Sequence, residues 1–297
     1  MKIENKKILF CSNTSWYIYN FRRALIKYLL DNKYEIFVVA PNDKYSKKLK
    51  DIGVNFIHID ISRHGTSIIN DIKLTIKLYE IYKRINPKLV HHFTIKPVIY
   101  GSIVCKIIKN IKVVNSITGL GTVFDENSMG FNYNIKRIVL YLYNFSISKE
   151  NIYIFQNNEN LRHFLGITKA TNNQCHLIES SGVDLNYFKR KHISKDCSDN
   201  VKYGIMCRML WNKGVREFAE AAIKLHSKYL KTEFYLLGSP DSTNPDSISL
   251  DWLNRINSKY DFITWEKHTE DVYDFLRKID VFVLPSYGEG LAKRSEE

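Results

Sequence analysis

Residues 7–40 read KILFCSNTSWYIYNFRRALIKYLLDNKYEIFVVA, and this stretch sets the architecture of the chain. Two apolar runs, Lys7–Cys11 and Glu35–Ala40, have the length of buried strands. The segment between them carries an apolar stripe at helical spacing, formed by Phe21, Ala24, Leu25, Tyr28 and Leu29. Continuously apolar strands that alternate with amphipathic helices predict a parallel sheet covered on both faces.

The same alternation continues along the chain. Further strand-length apolar runs lie at residues 55–59, 88–93, 112–117 and 152–156. After a polar, basic stretch, a second series lies at residues 202–206, 233–238, 261–265 and 280–285. A second apolar helix stripe joins Val215, Phe218, Ala222, Leu225 and Tyr229. The pattern predicts an α/β protein of two Rossmann-like, doubly wound domains, residues 1–183 and 201–297, joined by a linker at 184–200, with the second domain short of several elements.

Composition narrows the class of protein. The chain has 297 residues, 44% of them hydrophobic, which is ordinary for a globular protein of two domains. No apolar run approaches the roughly 20 residues that span a bilayer, and the N-terminus has no signal-peptide core, so we expect a cytoplasmic protein. The five cysteines are widely spaced, which argues against a disulfide framework and a zinc site. The net charge of +13 suits nucleic acid, anionic lipid or an anionic substrate, but charge alone is a weak signal, since an AT-rich genome also enriches lysine, and no recognised nucleic-acid-binding motif accompanies it.

The loop at residues 207–215, CRMLWNKGV, lies between a predicted strand and a predicted helix. Arg208 and Lys213 in this loop, together with the helix N-terminus, suit an anion such as a diphosphate. The alternative is that both side chains are solvated surface cations.

The end of the sequence carries two carboxylates beyond the strand VFVLP at 281–285 and a glycine turn. Glu289 suits hydrogen bonds to sugar hydroxyls, and Glu297 suits a ribose diol, because a carboxylate accepts from adjacent hydroxyls. The alternative is that acidic residues simply favour the first turn of a helix.

Two loops of the first domain also offer chemical groups. Gly119 and Gly121 follow the strand at 112–117 and allow a close backbone approach to a ligand, but they do not form the dinucleotide-binding fingerprint. The segment after the strand at 88–93 offers an imidazole, a hydroxyl and an ammonium group at His91, Thr94 and Lys96. The adjacent His91 and His92 should point to opposite sides of their strand, which argues against a metal site.

Residues 131–143, FNYNIKRIVLYLY, combine aromatic, aliphatic and basic side chains. A helix of this kind is suited to the headgroup layer of a membrane. A core helix whose lysine and arginine extend to solvent is an equally good interpretation.

Five motifs in this order resemble glycosyltransferase family 4, the retaining nucleotide-sugar enzymes of GT-B fold. They are HHFTIKPVIYG at 91–101, NSITGLGTVF at 115–124, SGVD at 181–184, RMLWNKGVREFAEAA at 208–222 and LPSYGEGL at 284–291. The resemblance covers essentially the whole chain. It is strongest to bacterial transferases that build O-antigen, capsule or other polyprenyl-linked glycans.

The resemblance implies roles for individual residues. Arg208 and Lys213 would bind the donor diphosphate and stabilise its departure, while Glu289 would contact the transferred sugar and Glu297 the ribose. The loop from Gly119 to Gly121 would face the donor. Acceptor-side candidates are His91, Thr94, Lys96 and Thr118. The implied mechanism, in which a donor phosphate oxygen assists deprotonation of the acceptor, needs no metal ion and no other cofactor.

The implied activity is transfer of a hexose or N-acetylhexosamine from a UDP-sugar to a polyprenyl-diphosphate-linked acceptor, with retention, at the inner face of the cytoplasmic membrane. No nucleic acid is expected as a partner. Many relatives have glycine where this chain has Cys207, and a histidine near Thr118. Residues 291–297 lack the apolar stripe of the family's next helix, so we expect a truncated second domain and little or no activity.

Two other functions fit the same residues. A non-catalytic remnant would hold membranes or partner proteins through its first domain. A GT-B sugar-nucleotide epimerase would consume a UDP-sugar without an acceptor.

Overall fold

The computed structural model of the protein describes residues 6–62, 67–117, 133–183, 185, 200–242, 244–267, 269 and 272–287, with the backbone alone at 133–135. The chain divides into two compact units, Met1–Val183 and Asp184–Glu289. Each unit is built on its own parallel sheet.

The sheet of the first unit has the strand order β3-β2-β1-β4-β5-β6-β7, and all its neighbouring strands are parallel. Its strands are β1 (Lys7–Cys11), β2 (Glu35–Ala40), β3 (Asn55–His58), β4 (Leu89–Phe93), β5 (Lys112–Ile117), β6 (Ile152–Phe155) and β7 (Cys175–Leu177). Its α-helices are α1 (Ser15–Asp31), α2 (Lys44–Asp51), α3 (Ile68–Ile85), α4 (Ser102–Ile108), α5 (Tyr133–Ser146) and α6 (Asn158–Ile167). A π-helical turn, Pro97–Gly101, leads into α4.

Helices cover both faces of this sheet. On one face, Ile26 of α1 belongs to the same buried cluster as Phe10 of β1. On the other face, Leu78 of α3 belongs to a cluster with Leu9 of β1. Because successive side chains of a strand point to opposite faces, these two clusters lie on opposite sides of β1.

The helix predicted between β1 and β2 is confirmed as α1, but the predicted core-facing stripe is wrong. Ile18 and Ile26 are fully buried, whereas Leu25 is 40% exposed and Tyr28 is 65% exposed. Apolar residues occur all round α1, so its spacing is compatible with more than one stripe. Packing against Phe10 and its neighbours selects the face with Ile18 and Ile26.

The second unit has the strand order β10-β9-β8-β11, also parallel throughout. Its elements are β8 (Val201–Met206), α7 (Val215–Lys228), β9 (Thr232–Leu237), α8 (Leu250–Lys259), β10 (Ile263–Glu266), α9 (Val272–Lys278) and β11 (Val281–Phe282). The stripe predicted on α7 is confirmed at Val215, Phe218 and Ala222, which are buried. Tyr229 is 62% exposed because α7 ends one residue before it.

The predicted α/β fold with parallel sheets is thus confirmed. Strand β7, an edge strand of three residues, was not predicted. The apolar runs around Cys11, Cys175 and Cys207 predict small core residues; Cys11 and Cys207 are buried, whereas Cys175 is only partly buried. Cys105 is also buried, and Cys197 lies outside the described residues. Among the described residues, no helix combines the length and the hydropathy that crossing a membrane requires.

Candidate functional site

Two glycines hold the loops together at the carboxyl edge of the second sheet. Gly214 has φ +72°, and a Cβ atom there would lie 2.2 Å from the carbonyl oxygen of Pro285. Gly238 has φ +147°, and a Cβ atom there would lie 1.8 Å from the carbonyl oxygen of Cys207. The loop after β8 is therefore in direct backbone contact with the loops after β9 and β11, which no residue larger than glycine would allow.

Arg208 is the first cation of this edge. It lies two residues beyond β8, and its side chain is 62% exposed. Its Nη1 is 3.2 Å from Oδ2 of Asp241, which lies beyond β9. The remaining donors of an exposed guanidinium are available for an anion at this position.

Lys213 is the second cation, and it lies towards β11. Its Nζ donates a hydrogen bond of 3.5 Å to Oγ of Ser286. The hydroxyl of Ser286 and the backbone N–H of Tyr287 both donate to the carbonyl oxygen of Asn212, at 3.3 Å and 3.1 Å. These bonds connect the loop that carries Lys213 to Ser286 and Tyr287, which follow β11.

A side-chain contact adds a third connection between the same loops. The hydroxyl of Tyr287 donates to Oε1 of Glu217 at 2.8 Å, in the first turn of α7. The backbone N–H of Glu217 and this hydroxyl lower the pKa of the Glu217 carboxyl, which is therefore ionised at neutral pH.

The arrangement suits a diphosphate. Ligands of open α/β sheets bind beyond the carboxyl ends of the strands, where Arg208 and Lys213 lie on either side of the end of β8. Helix α7 begins directly after this loop, so its N-terminal N–H groups add a positive potential. The predicted pair of cations is thus brought to one edge, although each side chain has a different protein partner.

The first unit contains a hollow of about 110 Å³ on the α1 side of its sheet. Among the residues that line it are Arg22 and Leu25 of α1, His91 of β4, Ser116 of β5 and Gln156 after β6. The walls combine apolar side chains with a guanidinium and several neutral hydrogen-bonding groups.

His91, a predicted acceptor-side residue, is only 8% exposed in this hollow. Its Nε2 hydrogen-bonds with Oγ of Ser116 at 2.8 Å, and the centre of its ring lies 4.2 Å from the centre of the Phe93 ring. Burial, and then the positive charge of Arg22, lower the pKa of His91 well below its ordinary value. The imidazole is therefore neutral at pH 7 and can act as a hydrogen-bonding group.

Arg22 was not predicted from the sequence. Its Nη2 donates to the hydroxyl of Tyr17 at 2.9 Å, and its guanidinium lies 4.8 Å from the ring centre of Phe93. Its Nε is buried without a hydrogen-bond partner, and within the described ranges no carboxylate pairs with it. The available signal was a charged residue directly after Phe21, inside the apolar pattern of α1.

Two other acceptor-side candidates, Lys96 and Thr94, lie within the described residues, and each contacts a partner other than His91. Lys96 forms an ion pair of 2.7 Å with Asp71 of α3, which also accepts a hydrogen bond of 2.9 Å from Tyr100. Thr94 has φ +69°, and its hydroxyl donates to the carbonyl oxygen of Phe93. His91 and Lys96 therefore lie apart: His91 faces α1, whereas Lys96 is bound to α3 on the opposite face of the sheet.

His92 points away from His91, as predicted. Its Nδ1 hydrogen-bonds with Oδ1 of Asn115 at 2.8 Å, and its Nε2 with the hydroxyl of Tyr82 at 3.0 Å. A Cβ atom on Gly101 would lie 2.2 Å from the same ring. Across the described part of the chain, no group of three histidine, cysteine or acidic side chains is placed to hold a metal ion.

The remaining predicted site residues lie outside the described residues. They are Thr118, Gly119 and Gly121 of the first domain and Glu289 and Glu297 of the second.

Comparison with known proteins decides the family. Residues 7–157 match the family described as "Glycosyl transferase 4-like", and residues 201–294 match "Glycosyl transferases group 1". This chain belongs to glycosyltransferase family 4. The resemblance inferred from the five motifs is thereby confirmed, and the protein is a transferase of this family.

Two curated relatives of this glycosyltransferase have names that state an activity or a biosynthetic process. The first is the N,N'-diacetylbacillosaminyl-diphospho-undecaprenol alpha-1,3-N-acetylgalactosaminyltransferase of Campylobacter jejuni, 31% identical over 96% of this chain and 75% of the relative. The second is the capsular polysaccharide biosynthesis glycosyltransferase CapM of Staphylococcus aureus, 24% identical over 93% of this chain and 72% of the relative.

A solved structure confirms the GT-B fold. Anabaena Alr3699/HepE, determined in complex with UDP and glucose, aligns with a TM-score of 0.70 at 15% identity. The alignment covers 97% of this glycosyltransferase and 76% of that chain. At this level of identity the likeness concerns the fold alone.

Proposed function

We propose that this glycosyltransferase moves a hexose or an N-acetylhexosamine from a UDP-sugar to a polyprenyl-diphosphate-linked acceptor, with retention of configuration. The observation that carries the proposal is the position of Arg208 and Lys213 at one carboxyl edge of the second sheet. Two names add support: one relative is a diphospho-undecaprenol N-acetylgalactosaminyltransferase, and the HepE structure contains UDP and glucose.

The proposed chemistry assigns the two cations to the donor. Arg208 and Lys213 hold the diphosphate of the UDP-sugar and stabilise the negative charge that grows on it as the sugar leaves. Neither residue needs to move a proton. A donor phosphate oxygen assists deprotonation of the acceptor hydroxyl, and the scheme uses no metal ion or other cofactor.

Three further donor contacts belong to the proposal. Glu289 would accept hydrogen bonds from the transferred sugar, and Glu297 from the ribose diol. Gly119 and Gly121 would let the backbone approach the donor closely.

The acceptor is assigned to the first unit. Neutral His91 and the positively charged Arg22 line one hollow there, which suits a ligand that carries both hydroxyls and phosphates. Thr94, Lys96 and Thr118 remain proposed acceptor-side residues. To reach a ligand, Lys96 would exchange its contact with Asp71 for one with the acceptor.

The lipid-linked acceptor places the proposed reaction at the inner face of the cytoplasmic membrane. The net charge of +13 suits this surface, because anionic lipids attract basic proteins. The product would enter a surface polysaccharide such as O-antigen or capsule.

The test is transfer of a labelled sugar. The chain is incubated with a panel of UDP-sugars and with polyprenyl-diphosphate-linked monosaccharides, and the lipid product is extracted and its anomeric configuration read by NMR. We expect product in small amount and of retained configuration, which should be lost with Arg208→Ala and kept with Arg255→Ala, a change at an exposed arginine of α8. An inverted product would contradict the proposed stereochemistry. Conversion of a UDP-sugar without any acceptor would replace the proposal with an epimerase.

A further inference from the structure

Helix α3 presents a row of isoleucines to solvent. Ile69, Ile72 and Ile76 are 66%, 56% and 53% exposed, and they recur at i, i+3 and i+7. Leu74 and Leu78 of the same helix are buried against the sheet. At about 100° per residue the exposed row points directly away from that buried side.

Helix α5 repeats the arrangement with the same spacing. Ile138, Tyr141 and Phe145 are 53%, 69% and 50% exposed. Tyr143 of this helix is buried in the core. The row on α5 therefore also points away from the sheet.

The two rows lie on the same side of the first unit. Val113 of β5 belongs to the core cluster under α3, and Ile117, four residues later on the same strand, belongs to the cluster under α5. Residues four apart on a strand point to the same face. Helix α4 packs against both helices and adds Ile107, which is 60% exposed. We call the exposed side of α3, α4 and α5 the apolar face.

The charges around the apolar face are mostly positive. The sequences of α3, of residues 102–110 and of α5 contain eight basic residues and two acidic ones. The basic residues are Lys73, Lys77, Lys83, Arg84, Lys106, Lys109, Lys136 and Arg137. One of the two acidic residues, Asp71, is already paired with Lys96. The apolar rows are thus accompanied by a large excess of cations.

We propose that the apolar face docks on an anionic phospholipid bilayer. The isoleucine row of α3 and the row of Ile138, Tyr141 and Phe145 on α5 would enter the boundary between headgroups and acyl chains. The basic side chains would contact the lipid phosphates. A second copy of the chain is a poorer partner, because it would bring two sets of cations together. The inference rests on the proposed function only in that a lipid-linked acceptor requires the enzyme to reach a membrane.

The test is flotation of the chain with vesicles in a density gradient. Vesicles of equal parts phosphatidylglycerol and phosphatidylcholine should carry the protein upward, and added salt should weaken this association. Replacing Ile72 and Ile76 by serine, or Tyr141 and Phe145 by serine, should each lower the partition coefficient about tenfold. Replacing Lys73 and Lys77 by glutamine should lower it about tenfold on the anionic vesicles alone.

The control is Tyr28→Ser. Tyr28 is 65% exposed on α1, on the opposite side of the sheet, so its loss should leave flotation unchanged. Circular dichroism checks that every variant is folded. The proposal would be overturned if the parent chain stayed in the dense fraction with anionic vesicles. It would also be overturned if Tyr28→Ser lowered the partition coefficient as much as the serine variants of α3 and α5 do. Light scattering that shows a dimer dissociated by the row variants would instead assign the face to self-association. UDP binding, measured on the same proteins, tests the proposed function separately.

Discussion

Gly214 lies so close to Pro285 that a Cβ atom on the glycine would be 2.2 Å from the proline carbonyl oxygen. This contact joins the loop after β8, which carries Lys213, to the loop after β11, which carries Ser286. The position of one proposed donor-binding cation therefore depends on a residue without a side chain.

Gly214→Ala should separate these loops. The backbone conformation at φ +72° and the clash with Pro285 should together lower the free energy of unfolding of the second unit by roughly 2–4 kcal/mol. Tryptophan fluorescence during urea unfolding reports mainly on this unit, because three of the four tryptophans, Trp211, Trp252 and Trp265, belong to it, and Trp16 belongs to the first unit. The matched control is Gly166→Ala on α6, where an added Cβ meets nothing within 4 Å. A midpoint as high as that of the parent would show that the loops tolerate the methyl group.

Asp241→Asn should strengthen donor binding. The Asp241 carboxylate lies 3.2 Å from Arg208 and competes with an incoming phosphate for its donors. Because the pair is solvent-accessible, we expect only a severalfold gain in UDP affinity, equivalent to about 1 kcal/mol or less. Titration calorimetry measures the change, and Asp251→Asn on α8 is the control. Weaker binding in Asp241→Asn would mean that the carboxylate positions Arg208 for the ligand.

The first unit should lose stability in mild acid. Burial lowers the pKa of His92 from 6.5 to about 4, although its hydrogen bond to Asn115 acts in the opposite direction. As the pH falls through this window, the unfolded chain takes up a proton that the folded chain does not, so the free energy of unfolding decreases. The contribution is fully present above pH 6.5, and its loss amounts to about 3 kcal/mol for a change of this size.

Hydrogen exchange of the β4 and β5 peptides between pH 6.5 and 4 checks this prediction. His92→Gln should weaken the pH dependence and leave the part that comes from buried His91, whose pKa is also lowered. His176→Gln, at an exposed position of β7, should leave the pH dependence intact. The same pH dependence in both variants would assign it to other groups.

Arg22→Leu should raise the pKa of His91. Burial is the larger cause of the low pKa, and the positive charge of Arg22 is the next. Removing the guanidinium should therefore move the pKa of His91 upward without restoring its ordinary value. NMR titration of the imidazole measures the change, with Arg23→Leu on the same helix as control. An unchanged pKa would mean that the charge of Arg22 has no effect on the protonation of His91.

Much of the fold was predictable from local patterns. Buried parallel strands such as β1 and β2 are continuously apolar, so their positions follow from the sequence. The orientation of α1 was not predictable, because its apolar residues surround the helix and only tertiary packing selects Ile26 over Tyr28. Strand β7 has three residues, too few to show an alternation.

The positions of Arg208 and Lys213 in the second unit were predictable, whereas those of His91, Lys96 and Arg22 in the first unit were less so. Arg208 and Lys213 lie in one loop between a strand and a helix, and a loop that follows a parallel strand lies at the carboxyl edge of the sheet. His91 and Lys96 are also close in sequence, but they lie on opposite faces of a sheet whose helices could not be placed in advance. Arg22 reaches His91 only through the packing of α1, a contact between distant parts of the sequence.

Titration of UDP into the chain and its variants tests whether Arg208 and Lys213 hold the donor diphosphate. Each charge-assisted contact contributes about 1.5–3 kcal/mol, so Arg208→Ala and Lys213→Ala should each weaken binding roughly tenfold to a hundredfold. Lys224→Ala and Arg255→Ala, at exposed cations of α7 and α8, should bind like the parent. Equal UDP affinity in all five proteins would contradict the donor site and the transfer chemistry assigned to it.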